Sequence, residues 1–153
     1  MTVAFIGSVN YPRTPILIMK MWEILLKLIK YEDANIFLFA NAGKLDSDCF
    51  TMVSQLKERY SNIERHYHHG VFDYDVGYVS HMKEIYDEVH FPPKEHPLSR
   101  DLRNREMIDK CDVLVTYCNP NDQETAYHEN VLNAMKYARE KNKRIINLFE
   151  EKL

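Results

Sequence analysis

A chain of 153 residues, 45% hydrophobic and 28% charged, is long enough for one domain, residues 1–153, with a sizeable core. Its net charge of −3 and lack of a long basic run give no concentrated positive footprint, which argues against a duplex-DNA partner. The longest apolar stretch, Ile16 to Ile29, is broken by Lys20, Glu23 and Lys27; a bilayer needs about 20 apolar residues, so no membrane partner is expected.

Thr2 to Gly7 reads as a first strand ending in glycine. A loop from Ser8 to Arg13 follows, with Pro12 and Pro15 marking the start of a helix over Ile16 to Lys30. Leu17, Met21, Ile24, Leu25 and Leu28 recur there at helical spacing. Asn35 to Ala40 is a second, buried strand. After the loop Asn41 to Lys44, Asp46 or Ser47 caps a helix that runs to about Tyr60. Asn62 to His68 is a third strand, more polar and so placed near an edge. Residues 70 to 97 are the least regular, with a short helix around Val79 to Tyr86 and a strand from Asp87 to Phe91. Leu98 to Lys110 is a helix with Leu98, Leu102, Met107 and Ile108 as its apolar stripe. Asp112 to Cys118 is a strand covered on both faces, Thr125 to Lys141 a long helix, and Arg144 to Phe149 the last strand. The three cysteines, Cys49, Cys111 and Cys118, lack metal-ligand spacing. Without a signal-peptide pattern at the start, they read as reduced thiols of a cytoplasmic protein.

Strands alternating with helices at this rhythm predict an α/β fold: a Rossmann-like, doubly wound, mostly parallel sheet with helices on both faces. Ligands of such sheets lie beyond the carboxyl ends of the strands. Arg100, Arg103, Asn104 and Arg105 crowd one helix, and at least one guanidinium should point towards that crevice; the bland alternative is a solvated basic face.

Val3-Ala4-Phe5-Ile6-Gly7, Phe37-Leu38-Phe39 with Leu45-Asp46 behind it, and above all Arg103 to Asp109 with Asp112 and its strand resemble the SLOG superfamily. Ala134 to Ala138 followed by Ile145 to Phe149 matches as well. The likeness covers nearly the whole chain and is nearest to the short SLOG proteins of Firmicutes. Lonely-guy phosphoribohydrolases, DNA-processing protein A and nucleotide-sensing domains of antiviral effectors are more distant relatives. The resemblance implies a Rossmann-like pocket for a nucleotide or nucleotide-derived molecule, with an antiviral or phage signalling context. Arg103, Asn104 and Met107 follow the lonely-guy Arg-Lys-x-x-Met pattern with Asn in place of Lys, which makes Arg103 the candidate phosphate contact. The Gly-Gly-x-Gly-Thr-x-x-Glu loop of those enzymes has no counterpart. Asn119 to Asn130 contains no glycine and three carboxylates, Asp122, Glu124 and Glu129. Ala40 also stands where a glycine is usual, although Gly43 remains. The fold therefore carries over, and the phosphate-cradling loop does not.

Other constellations weigh less. His66, His68 and His69 cluster, but no evident ligand completes a closed site, so no metal and no cofactor are expected, and His68 or His69 is placed at the pocket rim. His128-Glu129 lacks the second histidine of a zinc-protease helix, since Leu132 stands there. Tyr67, Phe72, Tyr74, Tyr78 and Tyr86 either stack on a base or bury themselves at a homodimer contact, the latter preferred. For Asp46, helix capping is preferred over a ribose contact.

The leading reading is a binder that senses or sequesters a signalling nucleotide without turning it over. Gly7, Ser8, Asn10, Arg13, Asn41, Gly43, Asp46, Arg103 and Asn104 form the expected site. The second is an interaction or inhibitor module that kept the fold, lost the ligand, and meets a protein partner through Asn119 to Thr125. The third is a nucleoside-phosphate hydrolase with Glu129 as its weak catalytic candidate, one residue too far from Thr125 to match the family.

Overall fold

The computed structural model describes residues 1–7, 11–71, 73–122 and 126–151, with the backbone alone at Ala126 and Tyr127. Six strands are present: β1 (Thr2–Phe5), β2 (Ile36–Phe39), β3 (Glu64–His68), β4 (Glu88–His90), β5 (Val113–Thr116) and β6 (Arg144–Asn147). Between them lie α1 (Pro15–Glu32), α2 (Gly43–Lys57), α3 (Val76–Ile85), α4 (Arg100–Lys110) and α5 (Ala126–Glu140). The strand order is β4-β3-β2-β1-β5-β6, and every pair is parallel. The chain winds outward from β1 to β4, then α4 carries it back past β1, where β5 lies. That reversal makes the Rossmann-like switch point.

Strand alternation decides which helices cover which face. Val3 and Phe5 pack with Phe37, Phe39, Val113 and Val115 beneath α1, α2 and α3. Ala4 and Ile6 point the other way, with Leu38 and Leu114, beneath α4 and α5. The Phe5 ring of β1 stacks on Phe39 at 5.0 Å and on Phe37 at 6.1 Å, both of β2, so two neighbouring strands share one aromatic row.

Helix α1 forms as its sequence predicts. Thr14 accepts a hydrogen bond from the Leu17 N–H at 3.2 Å, Pro15 occupies the first turn, and Leu17, Met21, Leu25, Leu28 and Ile29 are buried. Asp33 ends it in the left-handed region at φ 55°. Helix α2 differs from expectation. It starts at Gly43, three residues before Asp46, and no side chain caps it. The polar β3 lies near the edge, as expected, with only β4 pairing along its outer side. Past the end of β5 the buried Asn147 amide takes over the ladder. It accepts from the Cys118 N–H and donates to the Cys118 carbonyl, both at 3.0 Å. Among the described residues no helix is long and apolar enough to cross a membrane.

Gly7 follows β1, and a Cβ there would sit 2.6 Å from the Cβ of Leu45, a buried residue on the first turn of α2. Its missing side chain is thus a packing requirement. Gly7→Ala is expected to lower stability by ~1–3 kcal/mol through overpacking. The same change made in a Leu45→Gly background, which removes the opposing Cβ as well as the rest of the side chain, should cost clearly less. Urea midpoints of the wild type, both single variants and the double variant measure that coupling.

Candidate functional site

The site is built by α4. Ser99 caps it, accepting from the Leu102 N–H at 3.1 Å. Its buried face is Arg103, Asn104, Met107 and Ile108, whereas Leu102 is 50% exposed. The apolar stripe expected through Leu98 and Leu102 is therefore rotated: Met107 and Ile108 grip Ala4, Leu38 and Leu114, and one turn earlier the same face carries two polar side chains. In a parallel α/β sheet the helix runs back antiparallel to the strands. That turn consequently stands over their carboxyl ends.

There Arg103 and Asn104 line a cleft of about 450 Å³. Its other walls are Gly7 behind β1, Ala40 to Gly43 and Asp46 behind β2, Gly70 and Val71 behind β3, Arg100 on α4, and Asn130 on α5. Tyr67 and Tyr78 supply ring surface. Gly70 explains how the walls approach so closely, since a Cβ there would lie 2.8 Å from Arg103 Cβ.

Arg103 is 6% exposed. Its Nη2 donates to Asn104 Oδ1 at 3.2 Å, and its buried Nε has no hydrogen-bond partner. Arg13, Arg65, Arg105 and Arg144 each hold a carboxylate within 3.1 Å. Arg103 makes no ion pair among the described residues. Burial, then the neighbouring charge of Arg100, pulls its pKa below the usual value, while Asp46 and Tyr67 act in the opposite direction. A guanidinium stays cationic throughout.

Asp46 lies 3% exposed and reaches back over the loop, accepting from the Ala40 N–H at 2.8 Å. It clamps the turn behind β2 instead of capping α2. Burial pushes its pKa up to about 7, against the N–H groups of Ala40, Asn41 and Ala42 and the charge of Arg103. Tyr67 keeps its proton: burial raises its pKa, and its hydroxyl lies 2.7 Å from His69 Nδ1 and 3.2 Å from the Tyr78 hydroxyl.

Of the residues expected at the site, Gly7, Asn41, Gly43, Asp46, Arg103 and Asn104 meet at this cleft. Ser8 and Asn10 lie outside the described residues. Arg13 is not among the lining residues and forms a two-pronged pair with Asp48 at 2.8 and 2.9 Å. Glu129 is exposed on α5; Asn130 and Val131 line the cleft in its place. Neither His68 nor His69 is at the rim. His68 is fully buried under α4 and stacked 4.5 Å from His90, and burial, with the charges of His90 and Lys110, pulls its pKa down to about 3. His69 is packed among Tyr74, Tyr78 and Phe91. Gly70 and Asn130 were missed. A glycine directly behind β3 was the one signal for the former.

No family model matches the chain, and no curated protein does. A solved structure does match: DNA processing protein A from Streptococcus pneumoniae, determined by X-ray crystallography, has a TM-score of 0.60 to this chain at 14% identity. The match covers 94% of this chain and 48% of that one, so this chain spans about half that protein's length. At that identity the likeness is one of fold, which agrees with the Rossmann-like parallel sheet expected from the sequence.

The expected partners are corrected accordingly. Net charge was taken to exclude duplex DNA, but a protein named for DNA processing is built on the same fold. The tyrosine contact expected of a homodimer is corrected as well. Tyr67 and Tyr86, which suggested a subunit contact, are buried in this chain and stack on each other at 5.2 Å; Phe72 lies outside the described residues. In the loop, Asp122 lies near the end of β5, where burial and then its charge raise the pKa of Tyr117 and Cys118, while Gln123, Glu124 and Thr125 lie outside the described residues. The three cysteines are free and buried.

Asp46 gives a pH signature. Its folded pKa of about 7 lies above the unfolded 3.8, so its stabilising contribution is complete below pH 3.8 and disappears as pH rises through 7. Urea denaturation across that window should show the wild type losing ~2–4 kcal/mol relative to Asp46→Asn. A pH-independent difference between the two would contradict the assignment.

Proposed function

We propose that the chain binds a nucleotide or nucleotide-derived anion in this cleft, and senses or sequesters it without turning it over. The observation that carries this reading is Arg103, a nearly buried guanidinium aimed into an open cleft with no carboxylate paired to it and its Nε unsatisfied. A phosphate oxygen pair would complete its fork. The cleft volume of about 450 Å³ suits a small organic ligand. Gly43, at φ 87°, opens α2 without a side-chain cap, so uncapped helical N–H groups add a second attraction for an anion. Tyr67 and Tyr78 offer apolar surface for a base or ribose.

Binding without turnover is favoured by where the carboxylates lie. Asp46 is committed to the loop backbone, and Glu129 is turned to solvent. A second reading comes from the fold shared with DNA processing protein A: the bound phosphate belongs to a DNA strand. Arg100 and Arg103 on one cleft wall would serve that ligand equally.

Thermal shift against AMP, NAD, ADP-ribose and cyclic nucleotides separates these possibilities. A ligand present at 100 times its Kd adds about 2.7 kcal/mol of stability. Arg103→Lys keeps the charge but loses the fork, and should weaken binding at least about tenfold. The diphosphate of ADP-ribose does not titrate near neutrality. Its affinity should therefore fall as pH rises through 7 and Asp46 ionises, and Asp46→Asn should abolish that fall. Binding of labelled single- or double-stranded oligonucleotides alone selects the DNA reading. Release of free base from AMP moves the assignment to hydrolysis. Silence with every nucleotide and oligonucleotide defeats the proposal.

A further inference from the structure

A second constellation lies at the β4 edge of the sheet, outside the lining of the cleft. Side chains two apart on a strand share a face, and parallel register sets which of them meet across strands. His66 pairs with Glu88, and His68 with His90, between β3 and the edge strand β4. Glu64, His66 and His68 on β3 therefore share the face of Glu88 and His90 on β4. The ligand-type atoms of His66, Glu88 and His90 lie within 4.8 Å of one another. His66 Nε2 is 3.1 Å from Glu88 Oε2, and His90 Nε2 is 3.4 Å from Glu88 Oε1.

These contacts are not ordinary hydrogen bonds. His66 is buried, and its Nε2 has no hydrogen-bond partner despite the carboxylate oxygen beside it. The ring nitrogen and the oxygen are close without aiming at each other. Donors that converge on a shared point have that relation. Around a tetrahedral ion with bonds of ~2.0–2.1 Å, ligand atoms stand roughly 3.3–3.5 Å apart, close to the spacings observed. Glu64 Oε1 lies 3.7 Å from His66 Nε2 on the same face and is the nearest further donor. The adjoining Lys110 charge is offset by Glu106, 3.6 Å away.

We propose that His66, Glu88 and His90 bind one divalent transition ion of the zinc class, which staples β4 to β3. Two imidazoles and a carboxylate suit zinc better than magnesium or calcium, which prefer all-oxygen shells. The staple has a mechanical purpose. β4 has three residues and pairs on one side only, so its ladder to β3 consists of three register pairs. The buried His66 supplies a fixed donor; Glu88 and His90 are half-exposed and free to close around an ion. This proposal is independent of the cleft and its ligand.

Tag-free, chelator-treated full chain is titrated calorimetrically with Zn²⁺ and Mg²⁺, and Co²⁺ is followed by its visible absorption. One saturable equivalent of Zn²⁺ is expected, with a tetrahedral-type Co²⁺ spectrum, no Mg²⁺ binding and a Zn²⁺-dependent rise in Tm. Glu88→Gln alters an exposed side chain and should keep the metal-free Tm, whereas His90→Asn also removes the ring stacked on His68; both should weaken Zn²⁺ binding roughly hundredfold. No saturable Zn²⁺ binding to the wild type overturns the proposal. So does wild-type affinity in either variant, because the ion would then be held elsewhere, for instance by the thiols.

Discussion

A guanidinium taken out of water loses solvation worth several kcal/mol unless the protein replaces it. In this structure Arg103 stands where a helix facing a parallel sheet ordinarily carries a leucine or isoleucine, and much of the surrounding geometry accommodates it. Gly70 has no side chain, which lets α4 approach the strand ends to within 2.8 Å of where a Cβ would be. Asn104 gives the guanidinium one acceptor at 3.2 Å. Asp46 is near enough to be felt electrostatically, yet it forms no ion pair. The compensation is incomplete, and the incompleteness points into the cleft.

Asp46 and Arg103 are best understood together. Had Asp46 turned to Arg103, the two would neutralise each other and close the cleft. Instead the carboxyl group is held by the backbone behind β2, where it accepts from Ala40. Burial raises its pKa to about 7, so the compensating negative charge is only partly present at neutral pH. An anion entering beside Arg103 faces less repulsion when Asp46 is protonated. One clamp therefore shapes the loop and sets the local charge.

The sheet was legible because its signal is local. Val3 to Phe5, Phe37 to Phe39 and Val113 to Val115 are continuous apolar runs, and α1 announces itself through Pro12, Pro15 and its apolar spacing. What escaped depends on partners distant in sequence. A first-turn carboxylate looks the same whether it caps its own helix or clamps the preceding loop, so Asp46 was assigned the wrong local role. The stripe through Leu98 and Leu102 looked apolar, but the turn of α4 that faces the cleft is polar. His66 was visible as one of a histidine cluster, whereas Glu88 and His90 become its neighbours only through the β3–β4 register. Arg13 belonged to Asp48, 35 residues away. Net charge is too coarse to exclude DNA because it averages over the whole surface, while Arg100 and Arg103 both line one cleft wall.

The scarcity of glycine changes how such a pocket can hold a phosphate. Proteins with a glycine-rich loop bring backbone N–H groups against the anion at the start of the following helix. Between Asn119 and Asn130 this chain has no glycine. The groups available here are on the opposite walls: the Arg103 fork on α4 and the uncapped start of α2 at Gly43. A side-chain fork differs from a backbone cradle, because it grips two oxygens from one direction and leaves the rest of the anion unenclosed. Among the described residues lining the cleft, the one carboxylate is that of Asp46, and it is tied to Ala40. Retention of a ligand asks only for the grip; cleavage would require a second, unoccupied carboxylate facing the same bond.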